Sequence, residues 1–193
     1  MEAKKMEKYP IPGKRYTYED YYNWEDGIRY ELIDGQAYLM EPAPAYGHQD
    51  SQMHLSVQLY NFLKGSPCKV FVAPFDVRLN FDTDDNTVLQ PDIVVFLDRS
   101  KLAGTGSLGA PDMVIEILSP STSRRDRVTK YNQYLKAGVK EYWIVDPKAK
   151  TVSANVLDDG RYLCTNYAKP DEVPVRILEG CMIKLAEVFE DWG

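Results

Sequence analysis

Residues 111–138 read PDMVIEILSPSTSRRDRVTKYNQYLKAG. Met113 to Leu118 is an apolar run of strand length, and a helical pattern begins a few residues later. Inside that run stands Glu116, flanked by Val114, Ile115, Ile117 and Leu118. An ionised carboxylate buried there alone would be costly or would shift its pKa. Glu116 therefore calls for a partner: a basic side chain, a backbone donor or a metal ion.

The pattern after the strand predicts a helix. Ser123 and Asp126 form a capping-box-like start. Val128, Tyr131, Tyr134 and Leu135 supply an apolar face, with Tyr131 and Tyr134 offset from Lys130, and Gly138 suits a C-terminal stop. Asp126 and Lys130 stand one turn apart on an ideal helix. Spacing alone favours a surface salt bridge between them, worth about 0.3–0.5 kcal/mol. The alternative is a Lys130 that reaches over the end of the sheet where Glu116 emerges.

Working outward, VKEYWIVDP (139–147) reads as another buried strand. Residues 151–168 read as a hairpin through Asp159-Gly160, and IKLAEVFEDW (183–192) has helical character. Upstream, LQPDIVVFL (89–97) is a buried strand beginning near Pro91, with Asp92 at its start. KVFVAPFDVRLNF (69–81) is a strand pair or one bent strand, interrupted at Pro74. The Gly-rich stretch 103–110 reads as a loop; it lacks a phosphate-loop lysine and precedes a strand, so it is no nucleotide cradle. A helix is expected over His48–Leu63, closed by Lys64-Gly65. Residues 28–40 form a hairpin on Asp34-Gly35, and Thr17 caps a short helix over 17–26. The order predicts one α/β domain over 1–193, a mixed central sheet flanked by helices with an antiparallel C-terminal extension. Residues 1–15 are expected to be flexible or loosely packed.

The composition suits a soluble globular chain: 193 residues, 44% hydrophobic, with no apolar run of membrane-spanning length. The N-terminal stretch lacks an apolar segment of signal-peptide length. Cys68, Cys164 and Cys181 are far apart, with neither metal-ligand spacing nor an even count, which fits a reducing cytoplasm. The net charge of −6 argues mildly against nucleic acid, but its distribution is uneven. Between Ser119 and Lys150 stand eight basic residues against three acids, leaving the rest of the chain at −11. Such a basic segment either meets a phosphate backbone or is a solvated face with its counter-charges elsewhere.

If the strands carrying Asp92 and Glu116 are neighbours, two carboxylates converge near a sheet edge. Mg²⁺ is bound through one or two carboxylates together with waters and substrate phosphate. The alternative for Glu116 is structural, with hydrogen bonds to backbone or a basic partner. Asp92 by itself is weaker, since Pro-Asp often begins a strand or turn.

YELIDG (30–35), QPDIVVF (90–96) and IEILSPSTSRRDRVTKYNQYLKAGVKEYWIVDP (115–147) together resemble the Uma-two family of restriction endonucleases, within the PD-(D/E)XK nuclease superfamily. The likeness runs from about Thr17 to Asp146, and its long block is the specific part. It implies a restriction-endonuclease-like core of helix, three strands, helix and strand. Asp92 matches the motif aspartate and Glu116 its second acid. The motif lysine belongs two residues later, where this chain has Leu118, so Lys130 from the following helix is the candidate replacement. Glu31, in YELIDG, matches a further acid that would complete a metal site or hold a basic residue. His48 opens the first core helix, as a cap, as a surface residue or facing the same site.

The resemblance thus implies an Mg²⁺-dependent DNA endonuclease, with Mn²⁺ as a substitute. Asp92, Glu116 and the Ile117 carbonyl would hold the ion, Lys130 would act on water and developing charge, and Glu31 would assist. Cutting both strands requires two sites, hence an expected homodimer. The competing expectation is an inactive nuclease-fold module that binds nucleic acid or protein.

Overall fold

The structure is a computed structural model that describes residues 10, 11, 13–25, 27–40, 45–119 and 123–190. The expectation of a loose segment over 1–15 falls mostly on residues 1–9 and 12, outside the described residues.

Helix α1 (Tyr18–Tyr22) starts at Thr17, whose side chain accepts from the Asp20 N–H while the Asp20 carboxylate caps the Thr17 N–H. Strands β1 (Tyr30–Ile33) and β2 (Gln36–Leu39) form the expected hairpin. Asp34 and Gly35 both take positive φ, 49° and 77°, which suits the tight turn between two right-twisted strands. Helix α2 (Tyr46–Leu63) follows, with Leu55, Leu59 and Leu63 buried on one side. Each such buried leucine contributes about 1.5–3 kcal/mol.

Next come β3 (Lys69–Val72), β4 (Asp76–Arg78), β5 (Val88–Leu89), β6 (Ile93–Phe96), β7 (Leu102–Ala103), β8 (Gly106–Leu108) and β9 (Met113–Ile117). A π-helical stretch, Arg125–Lys130, runs into α3 (Tyr131–Lys136), and Gly138 at φ 75° ends it. Strand β10 (Glu141–Asp146), the β11 (Thr151–Asp158)–β12 (Arg161–Ala168) hairpin, β13 (Glu172–Pro174), β14 (Met182–Lys184) and α4 (Leu185–Val188) complete the chain.

The architecture is mixed α/β, with two six-stranded sheets where the sequence suggested one. The central sheet runs β12-β11-β10-β9-β6-β3; β9 and β10 are parallel and the remaining pairs antiparallel. The C-terminal hairpin extends this same sheet. The second sheet runs β2-β1-β5-β4-β8-β7. Two expectations change accordingly. Residues 69–81 are neither a pair nor one bent strand, because β3 edges the central sheet while β4 lies in the other. Residues 89–97 divide as well, Leu89 ending β5 and Ile93 starting β6. Pro91 has no N–H for a ladder, so the chain changes sheets there.

The Gly-rich stretch also differs from the expected loop, forming the β7–β8 hairpin. Gly106 pairs so closely with β4 that a Cβ would sit 2.1 Å from the Asp76 carbonyl oxygen.

Alternation along β9 divides two cores. Met113, Ile115 and Ile117 face α2, α4 and the β13–β14 hairpin side. Val114 faces the other core, with Phe96, Tyr134 and Tyr142. By the same two-residue period, Glu116 faces the α3 side.

Candidate active site

The antiparallel register sets Ile93 opposite Ile115, which brings Asp92, just before β6, near enough to Glu116 to act on its charge. Asp92 precedes β6, and its Oδ2 accepts the Ile117 N–H at 2.7 Å. His48, in the first turn of α2, places Nε2 3.2 Å from the same oxygen. Gln52, one turn further along α2, donates to the Asp92 carbonyl at 2.8 Å.

Glu116 has found a basic partner. Lys130 Nζ donates to Glu116 Oε1 at 2.9 Å and lies 2.9 Å from Glu31 Oε1, with Asp126 Oδ1 at 3.7 Å. The Tyr134 hydroxyl donates to Glu116 Oε1 at 2.6 Å. Glu31, on β1 of the second sheet, also accepts the Gln90 N–H at 3.0 Å. Arg125 NH1 approaches Glu31 Oε2 at 4.0 Å while its guanidinium covers the Tyr38 ring. The site therefore draws on both sheets and the helix between β9 and β10.

Four expectations about that helix are corrected. Asp126 and Lys130 are both buried, so their pair is not a surface salt bridge, and Lys130 has closer partners in Glu31 and Glu116. Tyr134 is not offset from Lys130; the two converge on one oxygen of Glu116. Ser123 already lies within the helix, and Val128, assigned to the apolar face, is 54% exposed. The physical reason is the π-helical turn: the Tyr131 N–H bonds back to the Asp126 carbonyl, and the widened turn alters which side chains face inward.

The electrostatics follow from burial. Glu116 is pushed well above the ordinary carboxylate range, first by burial; Lys130 opposes this, while Asp126, Asp92 and Glu31 add to it. Burial pulls the Lys130 ammonium down, but Glu116, Glu31 and Asp126 outweigh it and hold it protonated well above its usual range. Tyr134 is pushed up by burial and by Glu116, so it stays a neutral donor. One ammonium thus serves Glu31, Glu116 and Asp126, with Asp92 near Glu116 as a fourth acid.

That imbalance bears on a metal ion. Among the described residues no group of three or more His, Cys, Asp or Glu side chains is arranged to hold one. Asp92 and Glu116 are two nearby carboxylates, the donor type that suits Mg²⁺, which takes one or two carboxylates and completes its octahedron with other oxygens. Ile117, whose N–H already fixes Asp92, is the adjoining backbone group.

Of the residues proposed from sequence, the fold gathers Glu31, Glu116 and Lys130 directly and sets Asp92 beside them. Leu118 does not join them; with His48, Lys148 and Phe189 it lines a cavity of about 440 Å³ between the start of α2 and α4. Sequence reasoning missed Tyr134 and Gln90, and treated Asp126 as a cap. The i, i+4, i+8 spacing of Asp126, Lys130 and Tyr134 was the available signal.

A family model described as "Putative restriction endonuclease" matches residues 18–186. The chain belongs to this family, Uma2. It is 28% identical over 169 residues to "Uncharacterized protein slr1290" of Synechocystis, covering 86% of this chain and 87% of that one. A crystal structure described as a "putative nuclease belonging to DUF820", from Anabaena variabilis, superposes with a TM-score of 0.73 at 22% identity. The match covers 90% of this Uma2 chain and 97% of the other, and shows the shared fold. No helix among the described residues is long and apolar enough to cross a membrane.

Proposed function

We propose that this Uma2 chain is a metal-dependent endonuclease that hydrolyses phosphodiester bonds in DNA. The observation that carries this reading is the Lys130 ammonium held between Glu31 and Glu116, beside Asp92. Asp92, Glu116 and the Ile117 carbonyl would hold Mg²⁺, with Mn²⁺ as a substitute. When bound, the ion supplies Lewis acidity, orienting phosphate and lowering the pKa of attacking water. Lys130 stays protonated and offers its charge to the negative charge that develops at phosphorus. Glu31 and Tyr134 fix Lys130 and Glu116, and His48 steadies Asp92. The unpaired Cys68, Cys164 and Cys181 are consistent with a cytoplasmic setting.

The test is cleavage of supercoiled plasmid with Mg²⁺, Mn²⁺ or a chelator. Nicking or linearisation is expected only with the ion, and Asp92→Asn should abolish it in a folded protein. A second reading, an inactive nuclease-fold module that binds nucleic acid or protein, draws on the occupation of Glu116 Oε1 by both Lys130 and Tyr134. DNA binding without cleavage under every ion would favour it.

A further inference from the structure

Gln90 stands where the chain leaves one sheet for the other, between Leu89 at the end of β5 and Asp92 just before β6. Pro91 follows it and has no N–H to anchor the crossing. The Gln90 side chain, 7% exposed, provides the anchor instead. Its Oε1 accepts from Arg29 Nε at 3.2 Å and also from Arg29 NH2. Its Nε2 donates to Asp76 Oδ1 at 2.8 Å and to the Tyr21 hydroxyl at 2.9 Å. Tyr21 donates in turn to Asp76 Oδ1 at 3.1 Å.

These partners admit one orientation of the amide. A guanidinium only donates and an ionised carboxylate only accepts. Exchanging O and N would therefore set donor on donor at Arg29 and acceptor on acceptor at Asp76. The Tyr21 pKa is pushed up, first by burial and then by Asp76, so the hydroxyl keeps its proton. Both acceptor positions and both donor positions of the amide are in use. Its grip comes from α1, from the residue before β1 and from β4.

The backbone of the same residue reaches the candidate site. The Gln90 N–H donates to Glu31 Oε1 at 3.0 Å, and Lys130 Nζ lies 2.9 Å from that oxygen. Asp92 follows two residues later in the chain. A shift of Gln90 would therefore disturb the Glu31 carboxylate and Asp92 together.

We infer that Gln90 is a positioning residue: its amide, keyed by Arg29, Asp76 and Tyr21, holds the N–H that aims Glu31 at Lys130 and fixes where Asp92 stands. Its effect on catalysis rests on the nuclease reading; its effect on Lys130 rests on the hydrogen bonds alone. Gln90 acts through Glu31, Lys130 and Asp92 rather than on substrate.

The experiment compares the wild type with Gln90→Met and Tyr21→Phe in plasmid cleavage, with turnover expressed per folded molecule by circular dichroism. Gln90→Met should lower kcat about tenfold and leave KM unchanged, the signature of an interaction made in the transition state. Tyr21→Phe keeps the Arg29 and Asp76 bonds and should lower kcat about threefold. It carries the test if Gln90→Met does not fold. Equal turnover per folded molecule, or a change confined to KM, would overturn the inference. A second readout needs no activity: proton exchange at the Lys130 ammonium, followed by NMR. Exchange should be slow in the wild type, where the group is buried against carboxylates, and faster in both variants. Unchanged exchange in the folded variants would overturn the inference whether or not the wild type cleaves. A wild type that cuts nothing while the variants exchange faster would remove the nuclease reading and leave the positioning role standing.

Discussion

Lys130 Nζ lies 2.9 Å from Glu116 Oε1, both groups out of solvent, although 14 residues separate them in the chain. The lysine reaches the acid because β9 and the helix after it fold back on each other. The consequence is an electrostatic knot in which one cation answers several acids.

Removing that cation should be expensive. Lys130→Met leaves Glu31, Glu116 and Asp126 buried without it, for an expected loss of about 3–5 kcal/mol in urea unfolding. Adding Glu116→Gln should recover part of that loss, because the two residues are in contact. Strict additivity of the two single losses would show that they do not interact.

Asp92→Asn separates charge from shape. The asparagine carbonyl can still accept the Ile117 N–H, so the melting temperature without metal should change little. Mn²⁺ should stabilise the wild type by about 2.7 kcal/mol at a hundred times its dissociation constant and leave the variant unmoved. Equal shifts in both proteins would remove Asp92 from the ion's ligands.

Arg124 is exposed, whereas Arg125 is engaged with Glu31 and the Tyr38 ring. If the basic segment meets DNA, Arg124→Ala should lower the slope of log affinity against log salt by about 0.9, the value for one phosphate contact. Arg125→Ala should lower it too, and should also alter stability through Glu31. An unchanged slope in both variants would leave the segment as a solvated face.

Glu141, remote from the site, accepts from the Trp143 indole N–H at 2.7 Å and from the Ile177 N–H at 3.0 Å. Burial nonetheless raises its pKa, outweighing those two bonds. The folded protein then binds this proton more tightly than the unfolded chain. Stability should fall as pH rises from the ordinary glutamate value through the raised one. Glu141→Gln should lose that slope and cost about 1–3 kcal/mol at acid pH, because its amide cannot accept from both N–H groups. A wild-type profile that rises over the same interval would mean that the two hydrogen bonds outweigh burial.

Local chemistry determined much of this chain. Asp34-Gly35 and Asp159-Gly160 specify their hairpins because a tight turn between twisted strands needs positive φ. Thr17 starts α1 and Gly138 ends the helix after β9 through their own backbone and capping groups. The position of Glu116 in an apolar strand also announced, from sequence alone, that it needed a partner. Tertiary structure decided which partner. Glu31 comes from another sheet, Asp92 from a strand edge, and Lys130 and Tyr134 from a helix whose π turn has no recognised sequence signature here. The division into two sheets was likewise invisible, because an apolar run such as residues 89–97 does not say which neighbours will take its hydrogen bonds. Periodicity reports which face of an element is apolar. It carries no information on what that face will meet, and the charge balance around Glu116 depends on that alone.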